Sequence, residues 1–116
     1  MKAIENLKVK IYSDGARMED FLKMKEIDFI KGYTTNPSLM KKAGVSDYEK
    51  FIKSILPIAA NKPISFEVIA DEFEQMKRQG LKLSGYGKNV YVKIPIMNTK
   101  GKSSAPLIKE LSSQGV

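Results

Sequence analysis

Four times in 116 residues, a short apolar run leads through a polar turn into a segment whose apolar residues recur every three or four positions. This repetition constrains the fold more than any other property of the chain. β-α units in series need a crossover after each strand, which makes the strands parallel and lays the helices over the sheet. The first strand is Lys8-Val9-Lys10-Ile11-Tyr12-Ser13, broken by Asp14-Gly15 before a helix carrying Met18, Phe21 and Leu22. The second, Phe29-Ile30-Lys31-Gly32-Tyr33, passes through Thr34-Thr35-Asn36-Pro37 into a short helix from about Ser38. A longer helix follows, in which Ser46 and Glu49 form a capping box and Tyr48, Phe51, Ile52, Ile55 and Leu56 share one face. The third strand, Ile64-Ser65-Phe66-Glu67-Val68-Ile69, precedes a helix with Phe73, Met76, Gly80 and Leu83 on one side. The fourth, Asn89-Val90-Tyr91-Val92-Lys93-Ile94-Pro95, precedes a helix over Ser103 to Gln114, with Pro106 in its first turn and Gly115 as its C-terminal cap.

Two α/β architectures accommodate such a series: an open doubly wound sheet and part of a (β/α)8 barrel. Open-sheet nucleotide binders carry a glycine-rich phosphate turn after the first strand, and Ser13-Asp14-Gly15-Ala16 is neither GxGxxG nor a Walker loop. The barrel reading therefore leads. A whole barrel takes about 250 residues, so residues 1–116 are expected to form a single domain, the amino-terminal four of eight units.

Composition narrows the chemistry. With 42% hydrophobic and 28% charged residues and no low-complexity tract, a folded globular chain is expected. There is no cysteine or histidine, so a thiol nucleophile, a disulfide framework and the usual zinc ligands are all absent. No apolar run approaches the roughly 20 residues of a membrane span, and Met1-Lys2-Ala3-Ile4-Glu5-Asn6 lacks a signal-peptide core, so a cytoplasmic protein is expected. The net charge of +7 favours anionic partners. Such partners include phosphorylated metabolites and nucleic acid, and the charge alone does not choose between them; the lysines are scattered, without an arginine-rich stripe or aromatic-interleaved strand of the RNA-binding kind, and most of them read as solvated surface.

Lys93 closes an apolar strand, where an amine tends to lose its proton and become a nucleophile toward carbonyl carbon. An edge-strand lysine that discourages aggregation is the ordinary alternative. Strand alternation decides between them. Val9 and Ile11 oppose Tyr12 and Asp14; Phe66 and Val68 oppose Ser65 and Glu67; Val92 and Ile94 oppose Tyr91 and Lys93. If the aliphatic face meets the helices, Asp14, Glu67 and Lys93 all point to the barrel interior, each near the carboxyl end of its strand, where barrel enzymes keep their catalytic groups. An amine with two carboxylates suits Schiff-base chemistry: the amine attacks a ketone and the carboxyls move the protons.

The segments Ile11-Tyr12-Ser13-Asp14-Gly15-Ala16, Gly32-Tyr33-Thr34-Thr35-Asn36-Pro37-Ser38-Leu39 and Val90-Tyr91-Val92-Lys93-Ile94-Pro95 resemble the transaldolase family, in particular its small microbial branch. The likeness covers essentially the whole chain, aligned to the amino-terminal half of the family's barrel. It implies that Lys93 is the Schiff-base lysine, that Asp14 deprotonates the substrate hydroxyl during carbon–carbon cleavage, and that Glu67 acts through a water during imine formation. It further implies that Asn36, with Thr34 beside it, holds substrate hydroxyls. The activity implied is transfer of a dihydroxyacetone unit between sugar phosphates in the non-oxidative pentose phosphate pathway, with no metal or organic cofactor.

The related fructose-6-phosphate aldolases carry glutamine where this chain has Glu67, which favours transfer over simple aldol cleavage. The family's phosphate-binding arginine and serine belong to the carboxyl-terminal half. Thr99-Lys100-Gly101-Lys102-Ser103-Ser104 resembles a phosphate loop only superficially, since its glycine spacing does not fit a Walker motif. A missing carboxyl-terminal half, or a homo-oligomer of natural half-barrels, is expected to complete the sheet; an inactive half-barrel serving as a binding module is the remaining alternative.

Overall fold

The computed structural model describes residue 4 and residues 6–116. From Ile11 onward the described residues form four strands, β1 (Ile11–Asp14), β2 (Ile30–Thr34), β3 (Ile64–Glu67) and β4 (Val90–Lys93), interspersed with helices α1 (Met18–Lys25), α2 (Pro37–Lys42), α3 (Tyr48–Ala59), α4 (Phe73–Ser84) and α5 (Ala105–Ser113). The strands form one parallel sheet in the order β1-β2-β3-β4, as successive crossovers require. By its internal packing the chain divides into two compact units, one ending at Ile64 and the other beginning at Ser65.

In the first unit β1 and β2 pair in parallel, Tyr12 with Gly32, Ser13 with Tyr33 and Asp14 with Thr34. The register jumps between Ile11, opposite Ile30, and Tyr12, so that Lys31 is an extra residue with no counterpart. The expected first strand started at Lys8, but the ladder starts at Ile11, and Val9, expected on the helix-facing side, is 69% exposed. Alternation without a pairing partner does not hold a strand.

Phe21 of α1 packs against Tyr33 at 5.3 Å between ring centroids and against Phe51 of α3 at 6.4 Å. Phe51, Ile52, Ile55 and Ala59 supply the buried stripe of α3. This helix is capped by Asp47, whose carboxylate accepts the Lys50 N–H at 3.1 Å, in place of the expected Ser46–Glu49 box. Asp47 is the residue whose extended backbone aims its side chain at the first open N–H groups.

Gly32 is required by its neighbours. A Cβ there would lie 2.6 Å from the Tyr12 ring and 2.8 Å from the Pro63 carbonyl oxygen. The ring can swing aside, but the Pro63 carbonyl accepts the Tyr33 N–H at 2.8 Å and cannot yield without stretching that bond. Gly32→Ala is expected to cost about 1–3 kcal/mol through overpacking, read as a lower urea midpoint at unchanged slope. An unchanged midpoint would show that the backbone relaxes at no cost.

In the second unit, Met76, Gly80 and Leu83 of α4 are buried, with Phe73 half-buried. Gly80 lets α4 approach Val92 of β4 and Leu111 of α5, each 3.3 Å from where its Cβ would stand. As expected, Pro106 lies in the first turn of α5 and Gly115 ends it. Gly115 has φ +85°, and Val116 N–H reaches back to the Leu111 carbonyl at 3.0 Å, the bond pattern of a Schellman cap.

Candidate active site

The last residues of the four strands are, in order, Asp14, Thr34, Glu67 and Lys93. All four were candidates from the sequence. Alternation also holds at these ends: Ile64, Phe66 and Val68 are buried, whereas Asp14 and Lys93 are exposed and Glu67 half-buried. Lys93 was expected in an interior setting; in this chain it stands on the exposed face of β4, beyond Tyr91 at 61% exposure.

In the first unit the register opposes Asp14 to Thr34, and the Thr34 hydroxyl donates to Asp14 Oδ1 at 2.7 Å. The hydroxyl fixes the carboxylate's rotamer and leaves Oδ2 to meet a proton from a ligand. Asn36 is the N-cap of α2: its Oδ1 accepts the Leu39 N–H at 2.9 Å, with Pro37 at the first helical position. That bond orients the amide, and its NH2 group remains to donate to a hydroxyl oxygen. The Thr-Thr-Asn-Pro segment therefore does two jobs at once, closing a strand on Asp14 and starting a helix.

In the second unit Glu67 and Lys93 end neighbouring strands, and Val68 N–H donates to the Lys93 carbonyl at 3.2 Å. Beyond this bond the chains leave the sheet, yet they are not loose. Gln79 of α4 accepts the N–H groups of Ile69 and Ala70 at 2.8 and 3.0 Å. Asp71 accepts the Thr99 N–H on Oδ1 at 2.8 Å and the Thr99 hydroxyl on Oδ2 at 2.7 Å. Glu72 and Lys100 add an exposed ion pair at 3.5 Å.

The residues that resembled a phosphate loop form a tight turn. Asn98 Oδ1 accepts the N–H groups of both Lys100 and Lys102 at 3.0 Å, and an antiparallel bridge joins Met97 to Ser103. Backbone donors that a phosphate would need are thus directed at Asn98. Sequence reasoning missed Gln79, Asp71 and Asn98, whose partners are remote in sequence or, for Asn98, hidden inside a lysine-rich loop.

The two Thr99 hydrogen bonds, hydroxyl first and backbone second, hold the Asp71 carboxyl below its ordinary 3.8, with Lys100 adding attraction. A depressed folded-state value means that the unfolded chain takes up the proton more readily. The contribution is therefore complete above the ordinary value and is lost as pH falls through the folded one. The Thr99 amide resonance is expected to titrate with a midpoint below 3.8 and to stay constant from there to neutral pH. A midpoint at or above the ordinary value would count against the pairing.

An open groove of about 650 Å³, lined by residues including Met18, Leu22, Lys42 and Phe51, contains none of the five candidates. No group of three or more acidic residues able to hold a metal ion occurs among the described residues. Nor is any helix among them long and apolar enough to cross a membrane.

A family profile described as Transaldolase/Fructose-6-phosphate aldolase matches residues 11–116. The chain belongs to that family. Among curated relatives, a probable transaldolase of Clostridium botulinum is 39% identical over 102 residues, which are 88% of this chain and 46% of the relative. A probable transaldolase of Clostridium perfringens is 37% identical over 108 residues, 93% of this chain and 47% of the relative. One from Dehalococcoides mccartyi is 31% identical over 108 residues, 93% of this chain and 48% of the relative. This transaldolase-family chain thus spans about half the length of the relatives it matches. All five candidate residues fall within the matched segment.

Proposed function

We propose that the chain supplies the amino-terminal half of a transaldolase barrel, transferring a dihydroxyacetone unit between sugar phosphates through an imine on Lys93, as in the non-oxidative pentose phosphate pathway of the cytoplasm. The observation that carries this reading is the placement of Asp14, Thr34, Glu67 and Lys93 each at the carboxyl-terminal residue of its strand, on the less buried alternate.

In the proposed reaction the Lys93 amine adds to the ketone carbon of a ketose phosphate. The carbinolamine loses water to give the iminium, with Glu67 moving protons through a water molecule. Asp14 then takes the proton of the hydroxyl on the far carbon of the bond to be broken, and that carbon becomes the aldehyde of the departing fragment. That bond's electron pair moves into the iminium, leaving an enamine on Lys93 and releasing an aldose phosphate. The enamine attacks a second aldose phosphate, and hydrolysis returns the free amine. Asn36 NH2 and Thr34 hold substrate hydroxyls. No step asks for a metal or organic cofactor.

The remaining four strands come, in this reading, from a carboxyl-terminal half or from a second copy of the chain. Fructose-6-phosphate aldolase activity is the second reading, supported by the joint family description. Borohydride reduction of the complete barrel in the presence of fructose 6-phosphate tests the imine: a stable adduct on the Lys93 peptide is expected, and its absence from the complete barrel would remove the proposed reaction. Release of free dihydroxyacetone without an acceptor aldose would favour the aldolase reading.

A further inference from the structure

The hydrogen bonds beyond the ends of β3 and β4 form a connected set that ties the two strand ends together. Val68 bonds the last carbonyl of β4. Three residues later Asp71 grips Thr99 through both carboxylate oxygens, and Thr99 belongs to a turn held closed by Asn98. The segment carrying Asp71 is itself pinned to α4, because one Gln79 oxygen accepts two successive N–H groups. Neither Asp71 nor Thr99 ends a strand, and neither is needed to cap a helix, since α4 starts at Phe73 and α5 at Ala105.

We propose that Asp71, Thr99 and Gln79 are positioning residues that hold the carboxyl ends of β3 and β4 in fixed register, so that Lys93 reaches a carbonyl carbon with Glu67 at a constant offset. This brace deepens the imine reading and rests on it. Strand-end side chains depend on the backbone just beyond them, where the ladder no longer constrains direction. A charged acceptor with two donors from one residue fixes both distance and rotation, as a single bond cannot. Displacement of about 1 Å at a reacting group can cost on the order of 100-fold in rate.

The complete barrel, carrying either the wild-type chain or its Asp71→Ala, Thr99→Val or Thr99→Ser variant, is incubated with dihydroxyacetone and reduced with borohydride at intervals. Adduct is then quantified on the peptides containing Lys93 and Lys88, the latter an exposed reference lysine. The wild type is expected to label Lys93 well ahead of Lys88. Asp71→Ala and Thr99→Val slow Lys93 labelling about 10- to 100-fold with Lys88 unchanged, and Thr99→Ser, which keeps both donors, restores it. A merely structural role moves both lysines or neither, and should Asp71→Ala fail to fold, the near-isosteric Thr99→Val and Thr99→Ser pair decides. An unchanged Lys93-to-Lys88 ratio in the variants overturns the brace alone. Absence of Lys93 preference in the wild type overturns the imine reading, and the brace with it.

Discussion

Lys93→Met is expected to abolish the site-selective borohydride-trapped adduct from a ketose phosphate, leaving only the slow background on exposed lysines, while the protein still folds. Methionine keeps the unbranched, flexible shape and removes the amine, and no neighbouring group can replace a nitrogen that must form two bonds to one carbon. Stability should hardly change, because Lys93 is exposed at the end of its strand and its backbone carbonyl, which accepts the Val68 N–H, is unaffected. The measurement is intact mass after reduction, with peptide mapping of any residual label. Persistent single-site adduct in Lys93→Met would move the chemistry to another lysine and end the assignment.

Asp14→Asn should leave imine formation intact and slow carbon–carbon cleavage by about 10²- to 10⁴-fold, the usual worth of a positioned general base. Asparagine can keep the Thr34 hydroxyl bond through its own oxygen, so the geometry at the ends of β1 and β2 survives while the basic oxygen is lost. The two substitutions thus separate the stages of the proposed reaction. One removes the covalent intermediate, and the other lets it accumulate. Single-turnover trapping with fructose 6-phosphate distinguishes them: more adduct and less released aldose phosphate is expected for Asp14→Asn. Cleavage at the wild-type rate would assign the proton transfer elsewhere.

The sequence made the fold legible because the units repeat. Helix faces such as Phe51, Ile52 and Ile55 follow from spacing alone, and Gly115 announces a helix end because few other residues adopt its φ of +85°. The facing of Glu67 and Lys93 was legible for a related reason, since they alternate with Phe66 and Val92 along their strands. What spacing could not supply was anything that depends on pairing. Lys8 to Lys10 alternate like a strand but lie ahead of the first rung at Ile11. Asp47 displaced Ser46 as a cap because backbone direction, and not residue type, chooses between adjacent oxygens. The bonds of Asp71 to Thr99 span 28 residues, and no local pattern marks either member.

The extra residue at Lys31 shifts the phase of β2, much as an inserted base shifts a reading frame. Ile30 and Tyr33 lie three apart yet both are buried, and both are opposed by residues on one side of β1, Ile11 and Ser13. Strict two-residue counting through β2 would put Tyr33 and Thr34 each on the wrong side. Length changes in this region are therefore unequal in effect. Deleting Lys31 leaves the remaining rungs between β1 and β2 matched and flattens the local twist of that pair. Deleting Ser13 turns Asp14 toward the helices and parts it from Thr34. Natural variation in chain length should accordingly accumulate at position 31 and be absent from the three rungs that follow.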